Sequence, residues 1–311
     1  MKKALHTLWA VVASAALLTG CVLGHNQQTD EPVELRCRAI MSLNTRAQAF
    51  DKSFPVDADL GVWAFALPRE KEWEIFQPDA EKLAANIRME HNEALWVPQT
   101  PLLWDYDKQL TLIAYSPFEV QASYSPLHGI VFDIYDTEES PNTPLLYTDF
   151  VADQRVELNR AGVTLPFYHA LSKVDVKIRT VLTNDNAVVV KKIYLEQIHT
   201  EGTFFSHPTP EWVTTSGRKD VTLYEDEGGW SLPANNDTTM EESARLVMPQ
   251  SGATRLVVVA DVLRAGMYYP NQEFVTDQIK IFWEPGKYYT YSLIITHDSL
   301  WHEEPSPEDH R

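Results

Sequence analysis

Apolar residues recur at every second position of VELRCRAIMSLNTR, residues 33–46. Val33, Leu35, Cys37, Ala39, Met41 and Leu43 take one side of the alternation, while Glu34, Arg36, Arg38 and Ser42 fill most of the gaps. A repeat of two matches the side-chain period of a β-strand, so the pattern predicts a strand with one buried face and one wet face. The stretch ends at Arg46 in a polar turn, which raises the question of whether the strand belongs permanently to its own domain.

The same kind of pattern continues through the chain. LGVWAFAL (Leu60 to Leu67), EWEIF (Glu72 to Phe76), LTLIAYSPF, GIVFDIYD, LLYTDFV and VDVKIRTVL read as strands separated by clusters of Pro, Asn, Asp and Ser. The later half adds AVVVKKIYLEQIHT, DVTLYED, ARLVMPQ, TRLVVVADVL, DQIKIFW and KYYTYSLIIT. Residues 79–94 (DAEKLAANIRMEHNEA) lack Gly and Pro and carry apolar residues near helical spacing, which predicts a helix. Ala152 to Val163 (ADQRVELNRAGV) is polar and turn-rich and reads as a seam between two strand-dense halves. Nineteen prolines and few amphipathic runs favour an all-β architecture with a short helix in its N-terminal part.

The start of the chain bears on the compartment. Lys2 and Lys3 precede an apolar, alanine-rich stretch to Leu18, and Leu18-Thr19-Gly20-Cys21 has the form of a lipobox in which Cys21 is lipidated. An ordinary secretory signal with an incidental cysteine is the alternative. Lipidation at Cys21 leaves Cys37 as the second of two cysteines, so no internal disulfide is expected and stability must come from burial. The formal net charge of −18 argues against nucleic acid and anionic lipid as partners. The expected layout is a signal peptide over 1–20, a tether over 21–32, strand-dense units over 33–160 and 163–297, and a mobile acidic tail over 298–311.

Candidate chemistry is sparse. There is no Gly-rich phosphate loop, HExxH, GxSxG or cysteine pair for zinc, so no catalytic residue, metal site or cofactor is expected. His169 reads as a packed or capping residue. Asp57-x-Asp59-x-Gly61 has the start of a calcium loop but lacks its further oxygen ligands. Trp73, Trp96 and Trp104 lie close in sequence and could form a sugar-stacking platform, although tryptophans in a β-rich domain more often pack in the core.

NTRA, LGVWAF, LTLIAYSP and PLLYTD in the first half, with FYHALSKVDVKI, VMPQ and WEPGKYYTYSLII in the second, resemble stretches of the fimbrillin family of Bacteroides-type bacteria. The resemblance spans Asn44 to Ile295 behind a lipobox. It implies two tandem transthyretin-like β-sandwich domains, the second beginning near Val163 or Thr164. It also implies an outer-membrane lipoprotein on the cell surface or in a fimbria, with other fimbrillin subunits as partners and host or bacterial surface glycans or proteins as further ones. In polymerising members an arginine-specific protease cuts the loop after the first strand, and a neighbour's strand fills the vacated groove. The matching position here is Arg46, since Arg36 and Arg38 lie inside the strand.

Burying six apolar side chains is worth on the order of 6–10 kcal/mol after discounting for Ala39 and a compact unfolded state. That rivals the ~5–15 kcal/mol stability of a whole domain. A sandwich without this strand would expose an apolar groove and unpaired backbone, which another strand could cover. The chain departs from a stalk subunit at its C-terminus, where DSLWHEEPSPEDHR makes a poor donor strand. A tip, accessory or anchor subunit, or a stand-alone surface glycan-binding lipoprotein, fits at least as well.

Overall fold

The computed structural model describes residues 32–42, 53–74, 79–182, 187–215, 217–232, 238–239 and 243–303. Nearly every element is a strand; the described residues include one four-residue helix, Val156–Asn159, and one 3-10 turn, Phe118–Val120. No helix among them is long and apolar enough to cross a membrane.

An eight-stranded sheet dominates the N-terminal half. Its order is Leu146–Tyr147, Val163–His169, Cys37–Met41, Leu95–Pro98, Glu81–Asn92, Leu60–Pro68, Lys108–Ser116 and Val151–Arg155. Leu146–Tyr147 also pairs with Lys108–Ser116, so the hydrogen-bonded circuit closes on itself. Leu60–Pro68 is apolar almost throughout because it is buried on both faces. Leu60, Val62, Ala64 and Ala66 join one core with the leading strand; Trp63 and Phe65 join a second, aromatic-rich core. Gly61 is needed where the ring of Tyr115 presses on the backbone, since a Cβ there would overlap the ring.

The C-terminal half is a two-sheet sandwich. Ser172–Thr180 and Tyr288–Ile295 run parallel in one sheet, with Leu300–Glu303 at its edge. Arg218–Ser231, Ala187–His199, Leu256–Arg264 and Met267–Val275 form the other. Val176, Val190, Val258 and Leu293 meet in the core between them. A small sheet crosses the polar seam of the sequence. It pairs Gly129–Asp136 from before the seam with Glu201–Phe205 from after it, and it covers Trp63, Phe65 and Tyr115 with Phe132 and Phe204.

Several expectations are corrected. Residues 79–94 are not helical: Glu81–Asn92 is a strand paired with Leu60–Pro68. The register shifts between Val62↔Ile87 and Ala64↔Ala84, and Asn86 has φ of 51°. Such bulges put extra residues into one strand. The buried Ala84 and Met89 thereby fall five apart, with half-buried Leu83 and Ile87 four apart, so the alternation of a strand is lost from the sequence.

Glu72–Glu74 forms no strand, and residues 75–76 lie outside the described residues. The tail is also ordered further than expected. Leu300–Glu303 pairs with Tyr288–Ile295 and buries Leu300, while residues 304–311 lie outside the described residues. The turn between those strands is closed by Thr296 N–H donating to the Ser299 carbonyl at 2.9 Å.

Candidate functional site

The candidate site is the leading strand and the slot that holds it. Val33 and Glu34 pair with Trp104 and Leu103, and Leu35 N–H donates to the Leu102 carbonyl at 2.8 Å. Cys37–Met41 then runs parallel to Val163–His169 in five register pairs, from Val163↔Cys37 to Phe167↔Met41. Val163 N–H donates to the Arg36 carbonyl and Ser42 N–H to the Phe167 carbonyl, both at 2.8 Å, so the pairing is sealed at both ends. The opposite edge has a single register pair, Cys37↔Trp96. The strand is therefore zipped mainly along one side.

Its side chains alternate as the sequence predicts. Leu35, Cys37, Ala39 and Met41 are buried, Val33 is half-buried, and Arg38 and Ile40 face outward. Burial of the four inward groups is worth on the order of 5 kcal/mol. This is below the sequence figure because Val33 is only partly covered and Leu43 lies outside the described residues. The Cys37 thiol sits wholly inside, and burial pushes its pKa up to about 12, so it is held as an unreactive thiol. Cys21 and Arg46 also lie outside the described residues.

The far end of the slot is occupied by a residue with no signal in the sequence pattern. Phe54 meets Trp96 edge-on with ring centroids 5.1 Å apart and Phe167 at 4.7 Å. Trp96 Nε1–H donates to the Ala58 carbonyl at 2.9 Å, which ties residues 54–58 to the wall of the slot.

The three tryptophans do not make a shared surface. Trp96 and Trp104 are 3% and 2% exposed and belong to the core beneath the leading strand. The indole of Trp104 donates to the Lys108 carbonyl at 3.2 Å. Trp73 packs on the other core, with Phe65 at 5.4 Å and Phe150 at 5.7 Å. A sugar has no common face to stack on, which removes the geometric basis of the platform. Nor is Asp59 poised for calcium: its carboxylate accepts from Arg88 Nε at 2.7 Å, and Arg88 also lies 3.3 Å from Glu119. No group of three or more His, Cys, Asp or Glu capable of holding a metal occurs among the described residues. His169 ends the Val163–His169 strand, buried, and desolvation lowers its pKa to about 4 with help from the nearby Lys173 charge. It packs, as its sequence context suggests.

The comparison with known families reaches most of the chain, beginning just after the leading strand. A model of fimbrillin-like proteins matches residues 45–306. The chain belongs to the fimbrillin-like family.

Solved structures with the same fold include a candidate cell adhesion protein from Bacteroides uniformis, at 16% identity and TM-score 0.56, covering 90% of this chain and 99% of that one. A fimbrial protein from Bacteroides vulgatus matches at 14% identity and TM-score 0.56, covering 89% of this chain and 98% of that one. A candidate cell adhesion protein from Bacteroides ovatus matches at 17% identity and TM-score 0.54, with 90% and 97% covered. No curated protein matches the fimbrillin-like chain in sequence.

Proposed function

We propose that this fimbrillin-like protein is a lipid-anchored pilus subunit or pilus-associated adhesin, and that its leading strand is an exchangeable filler of its slot. In this reading Cys21 carries the lipid at the outer membrane, two β-sandwich units lie in tandem, and cleavage after Arg46 frees residues 33–43. A strand from another fimbrillin subunit then takes their place. The single observation that carries the reading is the leading strand itself: four inward apolar side chains held chiefly by one parallel neighbour. Backbone pairing on an open slot gives affinity and the alternating pockets give specificity, which is the chemistry of strand addition.

The C-terminal geometry favours a tip, accessory or anchor position over a stalk position. Tyr288–Ile295 is paired on both edges, by eight parallel pairs with Ser172–Thr180 and four antiparallel pairs with Leu300–Glu303. Donating it to a neighbour would break both ladders and uncover Tyr291, Leu293 and Ile295.

Incubation of the lipoprotein with an arginine-specific protease tests the reading. Loss of residues 21–46 followed by SDS-resistant oligomers is expected if the slot accepts a second chain's strand. Cleavage that yields monomers alone supports a terminal position. A chain that stays whole, with its N-terminus at Cys21 on cells, removes the processing step.

A further inference from the structure

The slot has two walls, Leu95–Pro98 and Val163–His169, which are not neighbours in the sheet; the leading strand stands between them. Adjacent strands lie about 4.8 Å apart, so walls flanking one strand stand about 10 Å apart. If the strand leaves, no strand bridges that gap directly, and the two walls stay joined only the long way round the sheet, through Leu146–Tyr147 and Lys108–Ser116. Apolar walls facing water are drawn together, because closing the groove hides surface that the strand had covered. A collapsed slot is a poor acceptor.

Phe54 touches both walls. Its ring lies against Trp96, which is opposite Cys37 on one wall, and against Phe167, which is opposite Met41 on the other. Only 7% of it is exposed. Its anchorage does not depend on the leading strand. Ala58 N–H donates to the Pro55 carbonyl at 3.3 Å, and Trp96 Nε1–H to the Ala58 carbonyl at 2.9 Å. Asp59 follows directly. Its carboxylate receives Arg88 Nε at 2.7 Å, while its carbonyl accepts from Phe118 N–H and from Ser116 Oγ, each at 3.1 Å. Phe54 also lies on the C-terminal side of Arg46, so a cut after Arg46 leaves it with the body of the protein.

We propose that Phe54 is a strut that keeps the emptied slot one strand wide and so ready to accept a strand. It is a positioning residue for strand uptake. The proposal rests on the exchangeable-strand reading above, and its test separates the two.

The full chain is folded with a unique protease sequence in place of residues 45–48 and then cut, leaving the leading strand bound without a covalent link. A fluorescent peptide of residues 32–43 is added in excess, and strand release and peptide uptake are timed separately. Phe54→Ala is expected to slow uptake at least ten-fold, Phe54→Leu to fall between, and Phe54→Tyr to behave as the unaltered chain. A residue that merely fills core volume would speed release and leave uptake unchanged, and that result overturns the strut while exchange stands. If the cut strand neither leaves nor is replaced in the unaltered chain, both proposals fall. Should Phe54→Ala not fold, Phe54→Leu decides by the same uptake rate.

Discussion

Near the two ends of the described residues stand two short strands that are held in opposite ways. The leading strand, Cys37–Met41, has five register pairs on one edge and one on the other. The closing strand, Leu300–Glu303, is itself an edge piece with four pairs and one buried side chain, but it seals Tyr288–Ile295 between two ladders. Burial and pairing thus divide differently at the two ends. At the front, a strand rich in buried groups hangs chiefly on one neighbour; at the back, a strand poor in buried groups guards an interior one. Only the front combines a large vacancy with a simple exit.

Removing each strand should expose that difference most strongly. Cutting between residues 43 and 52 and washing away the leading strand in mild denaturant is expected to lower stability by about 5 kcal/mol, from the four buried groups. Ending the chain after Ser299 costs the burial of Leu300, roughly 1.5–3 kcal/mol. Urea midpoints of the two forms give the comparison directly. A closing strand that proves as costly as the leading one would break it.

Acid gives the next largest effect, and it acts on the leading strand's partner. His169, at the end of Val163–His169, is neutral in the fold, with its pKa lowered to about 4 from an ordinary 6.5. The unfolded chain therefore takes up a proton that the folded chain refuses between those values. The contribution is full above pH 6.5, falls as pH drops through the window, and is flat below about 4. Its span is about 3 kcal/mol. Stability measured against pH for the unaltered chain and for His169→Gln should diverge in that window and nowhere else. Parallel curves would show that the imidazole is not desolvated in solution.

How much of this could be read from residue order varies with local geometry. The leading strand was legible because it is unbulged, so inward positions stay two apart from Leu35 to Met41. Leu60–Pro68 was legible as a doubly buried run. Glu81–Asn92 was not, because its bulges near Asn86 break the spacing of two and leave the buried Ala84 and Met89 five residues apart. Trp73, Trp96 and Trp104 are near one another in sequence, yet sequence distance does not reveal that Trp73 packs on a different core from the other two. Leu300–Glu303 was hidden by composition, since a strand with one inward residue leaves no pattern to detect. Phe54 lies in a turn outside any periodic stretch, and only tertiary contact gives it meaning.

A smaller effect sharpens the facing of the leading strand. Ile40 is 42% exposed on its outer side. Ile40→Thr should change stability by less than about 1 kcal/mol, as outward substitutions usually do. Ala39→Asp places a carboxylate among Leu35, Met41 and Leu165 and is expected to release the strand or unfold the domain. Far-UV dichroism through a thermal ramp distinguishes the pair. Equal behaviour would mean that the strand's inner face is wet.

The least perturbing test leaves every contact in place and reads the strand's own thiol. In a Cys21→Ser chain Cys37 is the one cysteine. Burial pushes its pKa from an ordinary 9.0 up to about 12, which cuts the thiolate fraction about a thousandfold, and burial blocks the reagent as well. Alkylation at pH 8 must then pass through an opened form. If the leading strand opens by itself, the labelling rate in low urea should hardly depend on denaturant, because little surface is exposed in that event. A matched chain with Cys37→Ala and Leu293→Cys puts the probe on the doubly paired strand. Its labelling should be slower and should rise steeply with urea, following global unfolding. Identical rates with identical urea dependence would mean that both strands are released only together. The leading strand would then be an ordinary member of the fold, because a filler that cannot leave alone cannot be exchanged.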